Sequence, residues 1–274
     1  MCAVVVEYGK RRFDLGQRDP GSIPGFRETL SSRLFSEARS SEPMDRQIQL
    51  AIFRAQVENV KFLETARKQI SKSINLSLRT NNLHMANVQT KIYAQMFCAW
   101  SEANFLKLIH TPHGYELDEI VNVKKAWDAG GITSGWRRAV EVGLTKIPTV
   151  QSGFDPYAST KIFRIIDKYV RDPSILRNKI AHGQWKVALN RDNTAVNTAV
   201  THDIERIDII VVDTWFECQK HLALIVESLI ETPERTFINA YWSQLEALEA
   251  TIEERSTFTL DGKIAVLRRK PIRR

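Results

Sequence analysis

The chain has 274 residues, 43% of them apolar, and a formal net charge of +7, a composition that supplies a substantial core and excludes a protein disordered throughout. No stretch approaches the roughly 20 consecutive apolar residues of a membrane span, and the apolar run Ala3–Val6 is too short for the core of a signal peptide, so a cytoplasmic protein with no membrane partner is expected. The charge is uneven: residues 1–43 carry seven Lys and Arg against six Asp and Glu, residues 44–255 carry 26 against 25, and residues 256–274 carry six against one, so the body is no basic DNA-binding module.

Residues 1–43 hold Gly9, Gly16, Gly21, Gly25, Pro20, Pro24 and Pro43 among scattered charges with no sustained period, which predicts a poorly ordered N-terminal extension. From Met44, itself a residue at which translation could start, the pattern changes. Ile48, Ile52, Phe53, Val57, Val60, Leu63, Ile70 and Ile74 recur at steps of three and four, the period of one long amphipathic helix reaching about Leu78. After the polar break Arg79-Thr80-Asn81-Asn82, a second long helix is expected to about Ile109, with Tyr93, Met96, Phe97, Trp100, Phe105 and Leu108 on its buried side. The two form an antiparallel hairpin. A shorter helix should run from near Leu117 to Gly130-Gly131, and another from Ser134 to about Lys146, followed by a loop over Pro148–Ser159.

Ser159 or Thr160 can cap a helix reaching about Val170. Asp172-Pro173 then places a capping carboxylate before a proline at the first position of the next helix, which Gly183 ends. Trp185–Asn190, the turn Arg191-Asp192-Asn193 and Thr194–Asn197 read as a small β-hairpin. Two long helices follow, about Ile207–Glu231 and Pro233–Glu254, and residues 256–274 form a basic C-terminal tail. The fold class is mainly all-α, a bundle of about six to eight helices over residues 44–255 with one hairpin insertion.

No glycine-rich phosphate loop, dinucleotide fingerprint or serine nucleophile elbow occurs. Cys2, Cys98 and Cys218 are odd in number and widely spaced, which suggests neither a disulfide framework nor a zinc knuckle. His110 and His113 lack a matching second pair and read as loop histidines rather than metal ligands. No metal site and no cofactor are therefore expected. At about 100° per residue, the helix after Asp172 sets Ile175, Leu176 and Ile180 on its buried side, with Lys179 an imperfect fit. Arg177, Asn178, Ala181 and His182 fall on the outward face, with a small alanine between polar groups. Arg79 and His84 share the spacing of Arg177 and His182 but begin in a polar turn, and read as an accidental match.

The segment Ile175-Leu-Arg-Asn-Lys-Ile-Ala-His-Gly183 resembles the HEPN ribonucleases, whose motif is Arg, a polar residue that is often Asn, three further residues and His, late in a helical bundle. Arg177, Asn178 and His182 match it position by position. The resemblance spans roughly Met44–Glu254, with the motif as its specific part and the hairpin as a subfamily elaboration. It implies catalysis by Arg177, His182 and Asn178, and a homodimer whose two-fold axis brings two motifs into one cleft. It also implies RNA cleavage without a metal ion, and service as a toxin or anti-phage defence effector with an antitoxin or other regulatory protein as partner.

Those residue types suit the chemistry. A histidine exchanges protons near neutral pH, so His182 can take the proton of the ribose 2′-hydroxyl or return one to the leaving 5′-oxygen. A guanidinium stays charged and can offer two donors to the phosphate as negative charge builds. Asn178 can orient the phosphate or the imidazole. The substrate's own 2′-hydroxyl is the nucleophile, so a 2′,3′-cyclic phosphate is the expected product and DNA should survive. The alternative is a catalytically silent HEPN-like module that dimerises or binds a protein or nucleotide partner through the same surface. A weaker third reading is a nucleic-acid-binding regulator that uses the tail Leu267–Arg274.

Overall fold

The computed structural model describes residues 45–147, 154–231 and 238–269. The chain is an all-α helical bundle. Helix α1 (Arg46–Arg79) opens on Asp45, whose Oδ1 accepts the Ile48 N–H at 2.7 Å, and α2 (Leu83–Ile109) opens on Asn82, whose Oδ1 accepts the Met85 N–H at 3.1 Å. There follow α3 (Leu117–Leu144), α4 (Phe154–Ile166), a π-helical turn (Asp167–Arg171), α5 (Asp172–Ala181), α6 (Thr198–Arg206), α7 (Ile209–Glu231), α8 (Ile238–Ser256) and α9 (Leu260–Arg269).

Helices α2 and α7 lie at the centre: α2 packs on α1, α5 and α7, and α7 also packs on α3 and α8. Both are apolar over most of their circumference, as a helix covered on several sides must be. Their contact is aromatic. Phe97 meets Phe216 edge to face at 4.9 Å between ring centroids, Trp100 lies 5.1 Å from the same ring, and Tyr93 stacks on it at 5.3 Å. The expected side of α1 does face inward, from the half-buried Ile48 to the fully buried Ile74, so the period of three and four reports a real packing face. No helix among the described residues is long and apolar enough to cross a membrane.

Several boundaries differ from expectation, each for a local reason. The expected break at Gly130-Gly131 is present as a kink, where Gly131 takes φ 75° and ψ −178°, a conformation open to a residue without a Cβ, and the next helical run starts at Ile132 rather than after Ser134. Phe154–Ser159, expected as loop, belongs to α4; residues 148–153 lie outside the described residues, as do the expected leader 1–43, Met44, the segment 232–237 and residues 270–274. Asp172 is not a cap. The helix passes through the π turn into α5 with Asp172 donating its N–H to Asp167 O. That wider turn suits Pro173, which has no N–H to give and whose ring would crowd the Tyr169 carbonyl in a regular α turn.

Two further expectations change. The hairpin reduces to one antiparallel bridge, Leu189 with Val196, within a loop where the N–H groups of Ala188, Leu189, Thr194 and Ala195 bond to side chains. Leu260–Arg269, expected within a tail, is helix α9, which packs on α1 with Leu260, Ile264 and Leu267 against the core.

Candidate functional site

Helix α5 carries Arg177, Asn178 and His182, and its end is built by local chemistry. His182 is the C-cap, donating its N–H to Asn178 O at 3.1 Å. Gly183 follows at φ 79° and donates to Ile180 O at 3.1 Å, while Gln184 donates to Lys179 O at 2.9 Å. This pair of bonds closes the helix as a Schellman motif, which needs a left-handed residue where the glycine stands. The closure leaves His182 exposed at the tip of the helix.

The loop after Gly183 is fastened to the same tip. Lys179 Nζ donates to Leu189 O at 2.6 Å, and the Leu189 N–H donates to Gln184 Oε1 at 2.8 Å. Asn190 Oδ1 accepts the N–H groups of Thr194 at 2.9 Å and Ala195 at 3.3 Å. Lys179, a poor fit on the buried side by projection, is there because its ammonium binds this loop.

Between helix tip and loop lies an open depression of about 610 Å³, lined by Asn178, Lys179, His182, Gln184, Leu189, Asn190, Arg191 and Asn193. The motif's Asn178 and His182 therefore share one concave surface. Lys179 and Arg191 supply the charge of that lining, with no carboxylate among its residues, and Arg191 has no ion pair among the described residues. Such a surface attracts anions. Arg191 is not legible in the sequence as a site residue, because the triplet Arg191-Asp192-Asn193 signals a turn and not where its side chains lie.

Arg177 is placed differently. Its Nη2 donates to Glu102 Oε1 of α2 at 2.5 Å and its Nη1 to Asn178 Oδ1 at 3.2 Å, and it is not part of the depression's lining. Arg177 is thus half-buried and ion-paired rather than free on an outward face, and Glu102 is a neighbour that no spacing rule pointed to. One turn before Glu102 on α2, Cys98 lies beneath this pair, its Sγ 3.7 Å from Pro173 O. Burial pushes its thiol up to about 12, only partly opposed by the Arg177 charge, so Cys98 remains a thiol rather than a nucleophilic thiolate. Ile175, expected to be buried, is 42% exposed and faces a second depression between α5, α6 and α7. Ala181 is exposed as expected.

The other histidines separate. Arg79 ends α1 and His84 lies in α2, so that pair shares no helix. His110, expected in a loop, is 1% exposed, with Nδ1 donating to Leu106 O at 2.8 Å. Burial holds its ring below the usual histidine range. His113 is exposed at φ 63°. Among the described residues no group of three or more His, Cys, Asp or Glu is arranged to hold a metal ion. No family model matches the chain, and no curated protein or solved structure shows significant similarity to it.

Proposed function

We propose that the protein is a metal-independent endoribonuclease of HEPN type, cytoplasmic and homodimeric, that serves as an RNA-cleaving toxin or defence effector under an antitoxin or other regulatory protein. The observation that carries this reading is the shared depression: Asn178 and the exposed imidazole of His182 open onto a surface whose charged lining is cationic. A phosphodiester seated there would have Lys179 and Arg191 to offset its charge, Asn178 to orient it and His182 to exchange the proton of the 2′-hydroxyl. Arg177 stands beside Asn178, and its guanidinium retains donors beyond the two that bind Glu102 and Asn178.

The Arg177–Glu102 ion pair favours a second reading, a catalytically silent module of the same family that dimerises or binds a partner, because a paired guanidinium must be shared or released before it can stabilise a transition state. Purified protein incubated with RNA in EDTA decides between them. The nuclease reading expects cleavage to 2′,3′-cyclic phosphate ends, abolished in Arg177→Ala and His182→Ala, with DNA intact. No cleavage by any preparation, or cleavage equal in both variants, would favour the silent module.

A further inference from the structure

A second cavity, of about 400 Å³, is lined by His84, Asn87, Lys91, Trp185, Lys186 and Glu205 among others. Gln184 lines the His182 depression, and the residues that follow it, Trp185 and Lys186, line this cavity, so consecutive residues of one segment serve the two. The unusual member is Lys91. It is 5% exposed, and its Nζ donates to Asn87 Oδ1 with no other acceptor among the described residues. An ammonium has three donors, and a buried one normally finds acceptors for them. Glu205, at the rim, forms no ion pair with it among the described residues. Burial accordingly lowers the Lys91 pKa from its ordinary value.

A buried cation with spare donors, retained in a cavity beside an indole, matches the chemistry of a nucleotide better than that of a core. A base can stack on Trp185, and a phosphate oxygen can accept from Lys91 while the exposed Lys186 and His84 meet the same charge from the rim. We propose that this cavity is a substrate subsite, holding the base and phosphate of a single-stranded RNA nucleotide adjacent to the one bound at His182. The assignment rests on the nuclease reading for its ligand, and it makes Lys91 and Trp185 positioning residues that set affinity and register rather than chemistry.

The test uses full-length His182→Ala protein, which should hold RNA without cutting it, and a fluorescently labelled single-stranded RNA read by anisotropy. Adding Lys91→Met or Trp185→Ala should weaken binding about tenfold, with Trp185→Phe retaining most of it because a phenyl ring still stacks. The Lys91 change should also reduce the slope of log affinity against log salt by about 0.7, the loss of one single-strand phosphate contact. Lys91→Met removes a poorly satisfied buried charge, so its melting temperature should hold or rise; the exposed Lys186→Ala gives the same affinity readout with no threat to the fold. If the wild type cuts RNA but Lys91→Met and Lys186→Ala bind it with unchanged affinity and slope, the subsite is wrong and the nuclease reading survives. If His182→Ala binds no RNA and the wild type cuts none, both fall together.

Discussion

Arg177 of α5 reaches across the helix packing to Glu102 of α2, its Nη2 2.5 Å from the carboxylate Oε1, while its Nη1 lies 3.2 Å from its own neighbour Asn178. The pair fixes where the motif's guanidinium stands. Because both side chains are about a third exposed, at 34% and 37%, the pair adds little to folding, under about 1 kcal/mol by comparison with other half-exposed ion pairs.

Its expected effect is on activity. Glu102→Ala should leave the melting temperature nearly unchanged yet slow single-turnover RNA cleavage about tenfold, since a misplaced transition-state contact costs at least about 1.4 kcal/mol. Glu102→Gln, which keeps an acceptor oxygen, should fall between. Faster cleavage in Glu102→Ala would mean that the carboxylate restrains Arg177 instead of positioning it.

Stability should weaken in mild acid because of His110. Burial is the main cause of its lowered pKa, with the Lys124 charge acting in the same sense and the hydrogen bond to Leu106 O against it. A base whose folded pKa is depressed contributes fully above its unfolded value, here 6.5, and the contribution is lost as pH falls from there through the lower folded value. Melting curves between about pH 8 and about pH 5 should show this loss in the wild type and a smaller one in His110→Leu. Equal acid sensitivity in both would assign the effect to other groups.

The differences between sequence and structure follow from what a period can report. The helices α1, α2 and α7 were legible because each repeats apolar residues over many turns. The break at Gly131 was legible too, from its glycine pair, but the π turn before Pro173 was not, since it is a choice of backbone dihedrals between two competing local solutions. At the site, Arg177, Asn178 and His182 were legible as a motif on one helix, and Ala181 as exposed. The partners Glu102 and Arg191 were not, because one comes from a helix 75 residues earlier and the other from a loop whose path is set by side-chain bonds. Ile175 shows the same limit: projection gives its direction, but whether a neighbour covers that direction depends on how α6 and α7 approach.

Helix α9 should contribute to stability. Ile264 and Leu267 pack against the core while Lys263 Nζ lies 3.5 Å from Asp213 Oδ2 of α7. These residues are only partly buried, so Ile264→Ala should cost about 1–2 kcal/mol, below the ~2–5 of a fully buried aliphatic, read as a lower denaturation midpoint. A change within error would mean that the helix contributes nothing to the fold and that its bases act only by charge.

The strongest expectation for the site itself is that it is composite. Arg177 and His182 project about 140° apart on one helix at about 100° per residue, and only His182 of the two lines the depression. One chain therefore brings its imidazole, but not its guanidinium, to that surface. Ala181 is exposed and projects between them on α5. A two-fold axis passing near Ala181 would bury that side against its copy and set each Arg177 near the other protomer's His182. Ala181→Glu places two carboxylates at such an axis and should yield a folded monomer without nuclease activity, measured by light scattering, melting and RNA cleavage together. Mixing Arg177→Ala with His182→Ala protein should restore one Arg177/His182 pair per mixed dimer, giving up to about a quarter of wild-type activity when half the dimers are mixed and each has one working site of two. A verified monomer that cleaves RNA at the full rate would show that one chain completes the site alone.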